Sequence, residues 1–189
     1  MRFQLLGPVT AEHDGRSIAL GPRQQRFIFA VLALEVNRLV PLARLVELTW
    51  PDPPRTAEHA VQVCVSRLRA LLAAAPEDGG TEPARLVWGT SGYMLSADPQ
   101  VVDAHRFQAL VRQARSTPDD RDRVSLLDQA LGLWRGPALA GAASPEARLS
   151  LACGLEEARL VAVEDRFDAL LRLGRHREIL GDLIGLVPV

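Results

Sequence analysis

Apolar residues change their spacing several times along this chain, and each change predicts a different element. In residues 2–20 the apolar positions Phe3, Leu5 and Val9 read as short strands, with the turn signal Asp14-Gly15 before Ser17-Ile18-Ala19-Leu20. Gly21-Pro22 breaks the chain, and Pro22 suits the start of a helix. From Arg23 to Asn37 the period lengthens: Phe27, Val31 and Leu34 stand at i, i+4 and i+7, one helical face. A short helix over Leu42–Thr49 turns Leu42, Leu45 and Val46 inward, with Pro41 in its first turn. Pro51-Asp52-Pro53-Pro54 excludes a helix interior, so the chain loops after Trp50. A third helix runs from the N-cap candidate Thr56 to Ala74, and Pro76-Glu77-Asp78-Gly79-Gly80 is a loop. Arg85–Trp88 and Tyr93–Ser96 are two strands joined by Gly89-Thr90-Ser91-Gly92, a hairpin.

After Pro99 the pattern is wholly helical. Asp103–Ser116 carries Phe107, Leu110 and Val111, and Asp119–Trp134 carries Val124, Leu127, Ala130 and Leu131. A small-residue loop spans 136–145. Glu146–Leu173 is long and amphipathic with Gly154 as a soft spot, Gly174 fits a helix C-terminus, and His176–Val187 is a last helix. The expected boundary lies near Asp98, giving domains 1–97 and 98–189.

Composition narrows the chemistry. The 189 residues contain no lysine, and all 22 basic residues are arginine. Schiff-base catalysis and a P-loop both need a lysine, so both are excluded. No Ser/His/Asp grouping, dinucleotide fingerprint or pair of cleft acids stands out, and the expectation is a protein without catalysis or cofactor. Cys64 and Cys153 lie far apart without a CxxC pattern, and His13, His105 and His176 have no metal-ligand spacing. Neither a zinc site nor a disulfide framework is expected; both cysteines read as reduced core residues of a cytosolic protein. No apolar run reaches the roughly 18 residues of a membrane span, and residues 1–15 hold no signal-peptide apolar region. The net charge of -1 hides an imbalance: residues 1–75 carry nine Arg and six acids, residues 76–189 thirteen Arg and seventeen acids. The front is +3 and the back -4, which suggests two modules with different partners.

On a helical wheel the third helix gathers Ala57, Val61, Cys64, Val65, Leu68 and Leu72 on one side. His59, Gln62, Val63 and Ser66 point the other way, flanked by Arg67 and Arg69. In a major groove, Gln and Arg pair with base edges while Ser and Arg reach phosphates. A plain solvated face would look the same, and the wheel leaves both readings open. The context adds weight to the first: a short helix, a tight loop and an outward-polar helix follow helix-turn-helix order, and the hairpin after them has the form of a wing.

Residues 1–97 resemble the OmpR/PhoB-type winged-helix effector domain through Val65-Ser66-Arg67-Leu68-Arg69 and Gly92-Tyr93. Five further features narrow this: Phe3-Gln4-Leu5-Leu6-Gly7, Gly21-Pro22-Arg23-Gln24-Gln25-Arg26, Trp50 with its proline loop, Val102-Asp103-Ala104-His105-Arg106-Phe107, and Ala130-Leu131-Gly132-Leu133-Trp134-Arg135-Gly136. Together they resemble the Streptomyces antibiotic regulatory protein family over nearly the whole chain. The implied fold is an α+β winged helix-turn-helix with an N-terminal β-sheet, followed by an all-α tetratricopeptide-like bacterial transcriptional activator domain.

The resemblance also implies a function. Members activate clustered biosynthetic genes by binding direct repeats near promoters and recruiting RNA polymerase. By this likeness Gln62, Ser66, Arg67 and Arg69 meet DNA, with His59 near the helix start, and Thr90, Ser91 and Tyr93 bring the wing to the minor groove or backbone. The loop of Trp50, Asp52, Pro53, Pro54 and Arg55 matches the segment that touches polymerase. Trp50 itself reads as core, and Tyr93 as a packed ring with its hydroxyl toward a phosphate. Two departures stand out: Gly89 occupies a wing position where many relatives carry Arg, and only four helices of the helical domain are expected here, where the family's domain continues through further helix pairs. An uncapped helical array exposes apolar positions, so Leu180, Leu183, Ile184 and Leu186 are expected to drive homodimerisation. An alternative reading is a protein-interaction scaffold in which the helical repeats dominate and DNA binding is absent.

Overall fold

A computed structural model describes residues 1–74 and 83–179. The loop expected over 76–80 lies outside these residues, as do the apolar positions expected to self-associate, Leu180, Leu183, Ile184 and Leu186. The chain opens with an antiparallel meander of β1 (Arg2–Gln4), β2 (Thr10–His13) and β3 (Arg16–Ile18). Asp14 and Gly15 turn between β2 and β3 with φ of +48° and +74°, the paired left-handed conformation that this dipeptide favours in two-residue hairpins.

Helix α1 (Arg23–Leu34) follows, with eight buried residues from Gln25 to Ala33. It ends three residues before the expected Asn37, and Asn37 itself explains why. Asn37 adopts φ +62°, its N–H binds the Leu95 carbonyl at 2.8 Å, and its side-chain amide exchanges two hydrogen bonds with the Ala97 backbone. That turn feeds a strand the spacing did not suggest, β4 (Val40–Pro41), leading directly into α2 (Leu42–Thr49). After the proline loop comes α3 (Ala57–Ala73), then β5 (Arg85–Trp88) and β6 (Gly92–Ser96). The second sheet runs β4-β6-β5, with Val40 opposite Tyr93 and Pro41 opposite Gly92. Gly92 is needed there: a Cβ would lie 2.1 Å from the Val40 carbonyl oxygen. Thr56 stands at the N-cap of α3 as expected, but its side chain makes no capping bond.

The helical module contains α4 (Asp103–Ser116), α5 (Asp120–Leu131) and α6 (Pro145–Arg172). Local chemistry sets the ends. Asp119 caps α5 through the Arg121 and Asp122 N–H groups, and Ser144 caps α6 through Ala147. After α6, Gly174 takes φ +73°, with Gly174 N–H on Leu171 O and Arg175 N–H on Leu170 O, the paired bonds of a Schellman stop. The chain is helical again over 176–179.

One continuous hydrophobic core runs through both modules, from Phe3 and Phe29, edge to face at 5.0 Å, to Phe107 and Trp134, at 5.4 Å. Polar bonds lock the seam between them. The Asp103 carboxylate, 8% exposed, accepts the Leu5 and Leu6 N–H groups at 2.7 and 3.1 Å, with an Arg135 guanidinium nitrogen 3.7 Å away. Burial pushes the Asp103 pKa up, against the pull of those two N–H groups and of Arg135. Backbone N–H groups of Arg135, Leu139 and Ala140 return bonds to Leu6, Leu5 and Gly7. His105 on α4 places Nε2 2.9 Å from the Leu34 carbonyl at the end of α1, and Arg23 reaches the Ala142 carbonyl at 3.1 Å.

The cysteine expectation holds only in part. Cys64 is half-buried, and burial raises its thiol pKa against the opposing pull of Arg67. Cys153 is not a core residue: it is exposed on α6, whose outward side also shows Leu149 and Leu160.

Candidate nucleic-acid interface

Helix α3 divides as its wheel requires. Ala57, Val61, Val65, Leu68 and Leu72 are buried against the core, and Cys64 sits at the margin. His59, Gln62, Ser66 and Arg67 are exposed, and Val63 is intermediate. Residues 59, 62 and 66 are spaced by three and four, so their side chains line one face of the helix. Arg69 is exposed too, but its Nε donates to the Leu86 carbonyl on β5 at 2.9 Å. This guanidinium ties the wing to α3, and only its remaining N–H groups are left for another acceptor.

The wing is built by β5 and β6. Its turn closes through Gly89 N–H on the Gly92 carbonyl at 2.9 Å, and the Ser91 carbonyl accepts the first N–H of α2, Leu42, at 3.0 Å. Thr90 and Ser91 are exposed at the tip. Tyr93 is 7% exposed, its ring edge-on to Trp88 at 4.7 Å, and Trp88 is the aromatic shown to solvent at 54%. Trp88 was not singled out from sequence. The signal was its strand position directly opposite Tyr93, where only one of two adjoining rings can lie underneath.

The loop between α2 and α3 projects from the same module. Trp50 caps α2 with its N–H on Val46 O and packs half-buried against the core. Pro51, Asp52, Pro53, Pro54 and Arg55 are all exposed. A cavity of about 650 Å³ lies beside Trp50, floored by Phe27 and Ala147 from the two modules.

Electrostatics separate the modules further. In the helical half, arginines are matched to acids across helices: Arg115 to Asp165 at 3.0 Å, Arg172 to Asp120 at 2.8 Å, Arg166 to Asp128, and Arg123 to Asp120 within α5. The Arg172 guanidinium holds the Asp120 carboxyl below its usual range. On α3, among the described residues, no acid stands within ion-pair distance of Arg67 or Arg69. These pairs cancel part of the arginine charge of the helical module across its helices, while Arg67 and Arg69 on α3 face outward with no acidic partner among the described residues, an arrangement that suits a phosphate backbone. Among the described residues no cluster of His, Cys, Asp and Glu could hold a metal ion, and no helix is long and apolar enough to cross a membrane.

Fold and exposed α3 face together define a winged-helix transcriptional regulator carrying a helical activator module. Residues 15–95 match the family model "Transcriptional regulatory protein, C terminal", and residues 102–188 match "Bacterial transcriptional activator domain". Regulatory protein DnrI of Streptomyces peucetius is 33% identical over 98% of this chain and 71% of its own length. Transcriptional regulator RedD of Streptomyces coelicolor is 39% identical over 99% of this chain and 54% of its own. The solved structure of Mycobacterium tuberculosis EmbR in complex with a low-affinity phosphopeptide superposes with a TM-score of 0.88 at 28% identity, over 98% of this chain and 49% of that one. The chain thus spans 71% of DnrI and about half of RedD and EmbR. It belongs to the Streptomyces antibiotic regulatory protein family of DNA-binding transcriptional activators.

Proposed function

We propose that the protein binds promoter direct repeats as a homodimer, reads the major groove with α3, and recruits RNA polymerase to a biosynthetic gene cluster. The division of labour is residues 1–97 for DNA and 98–189 for activation, in a cytoplasmic, nucleoid-associated protein. One observation carries the reading: Gln62, Ser66 and Arg67 stand exposed on the face of α3 opposite its buried stripe, with positive charge that no described acid cancels. Gln62 and Arg67 suit base edges, and Ser66, His59 and Arg69 suit phosphates. Thr90, Ser91 and the Trp88–Tyr93 pair bring the wing to the neighbouring backbone or minor groove. Asp52, Pro53, Pro54 and Arg55, with Trp50 as their anchor, present the polymerase contact. A chain near neutrality holds DNA by this local patch and by paired sites, not by bulk charge.

The test is a gel shift on a promoter fragment footprinted by the wild type. Gln62→Ala and Arg67→Ala each weaken specific binding by about 1–3 kcal/mol, roughly five- to a hundred-and-fiftyfold, and relax base preference at one position. Undiminished specific binding by the double variant overturns the assignment of α3. In transcription assays, Asp52→Ala with Arg55→Ala keeps DNA affinity and lowers activation; loss of both together counts against the loop as a polymerase contact.

A further inference from the structure

Where the winged helix meets the helical module, on the side of the seam marked by His105, a cavity of about 400 Å³ opens. Its walls come from both modules: Leu34 of α1, Leu39 before β4 and Leu48 of α2 on one side, Leu151 and Leu155 of α6 on the other. The polar groups among them are few. His105 is held by the Leu34 carbonyl through Nε2, so a neutral imidazole presents Nδ1 as its acceptor. Arg44 and Gln108 supply donors, Glu35 adds a carboxylate that also faces Arg38 at 3.6 Å, and the Arg44 guanidinium pairs with the exposed Glu47 at 3.4 Å. Leucine walls interrupted by four polar side chains, Glu35, Arg44, His105 and Gln108, in a volume within the usual ~300–1,000 Å³ of ligand pockets, suit a small molecule with both an apolar body and a polar group.

Two further observations point to an occupant. Leu39, 41% exposed, is a large apolar side chain that packs over Gly89 of the wing and also lines the cavity. Gly154 also lines the space, inside a 28-residue helix, where glycine is the poorest residue short of proline. Helical glycines are commonly explained by a left-handed φ or by close approach of another backbone. Neither applies: Gly154 is not among the positive-φ residues, and a Cβ built on it meets nothing within 4 Å. What the missing side chain leaves is open volume at the cavity.

We propose that this seam cavity binds a small, predominantly apolar molecule carrying one hydrogen-bonding oxygen. The apolar body lies between Leu34, Leu48 and Leu155, and the oxygen faces Arg44 and His105. Because the walls belong to both modules, the occupant holds them together, and its binding is linked to the stability of the whole chain.

The probe is 1-naphthol, a flat apolar molecule with a single hydroxyl, titrated into the full chain while methyl resonances are followed by NMR. Expected is saturable one-site binding that shifts Leu34, Leu39 and Leu155 methyls and raises the melting temperature. Gly154→Leu fills the space from an exposed position of α6 and reduces affinity at least tenfold, while its unliganded melting temperature equals or exceeds the wild type's. Leu39→Glu, on the rim, lowers affinity with the fold likewise retained. Non-saturating shifts, shifts scattered over the surface, or equal affinity in wild type and Gly154→Leu overturn the proposal. Gel-shift affinity without probe is unchanged in Gly154→Leu, which separates this site from the DNA face.

Discussion

Removal of the Asp103 carboxylate offers the sharpest test of the seam. Asp103→Ala deletes the acceptor for the Leu5 and Leu6 N–H groups, at 2.7 and 3.1 Å, and strands both donors between buried side chains. Hydrogen bonds to charged groups contribute about 1.5–3 kcal/mol each, so losing two costs about 3–6 kcal/mol. In a chain of this size 1 kcal/mol moves the melting temperature by about 2–4 °C, which places the drop at about 6–24 °C. Asp103→Asn keeps one side-chain oxygen and loses less. The pair also predicts a pH dependence. The folded Asp103 pKa is raised, so its titration contributes stability that is fully present below the ordinary carboxylate range and is lost as pH rises through the raised value. The advantage of wild type over Asp103→Asn therefore grows as pH falls from 7 into the mildly acidic range. Urea unfolding at several pH values measures both quantities. A loss below about 1 kcal/mol for Asp103→Ala, or an advantage that shrinks on acidification, would refute the account.

Two more outcomes are expected at the wing. Gly92→Ala forces a Cβ to 2.1 Å from the Val40 carbonyl oxygen, so β4 and β6 must part; amide exchange at Val40 and Tyr93 accelerates and stability falls by about 1–3 kcal/mol. Trp88→Ala leaves the fold intact and weakens duplex affinity about tenfold, the effect of burying ~60 Å² of ring at about 25 cal/mol per Å², read by fluorescence anisotropy; unchanged affinity would remove Trp88 from the interface.

Elements with chemical punctuation were legible in the sequence. Pro41 and Trp50-Pro51 bracket α2, Asp119 begins a helix, and Gly174 ends one, so those limits match to within a residue, whereas the Ser144 cap of α6 lies inside the expected 136–145 loop. The buried stripe of α3 was readable because 3.6-residue periodicity needs no knowledge of the partner surface. Strand β4 was not: two residues are too few to alternate, and its existence depends on Asn37 turning toward β6. Nor was the role of Asp103. Its partners lie 97 and 98 positions away, and an acid at a helix start reads as a local cap until the fold brings Leu5 and Leu6 to it. Among the candidate DNA residues, Gln62, Ser66 and Arg67 were visible as an outward row, whereas the bond from Arg69 to Leu86 depends on where β5 comes to rest.

The common core also has a consequence on the scale of the double helix. On the function proposed above, a reading head and a helical module that share one core would point the module in one angular direction from each operator repeat. Repeats spaced by whole turns, about 10.5 base pairs, set successive modules on the same side of the duplex. On that proposed function, five extra base pairs between operator and promoter would swing the module to the far side of the DNA, where the same contacts with the groove would no longer bring it to the transcription machinery. In such a protein the phase of the site matters as much as its bases.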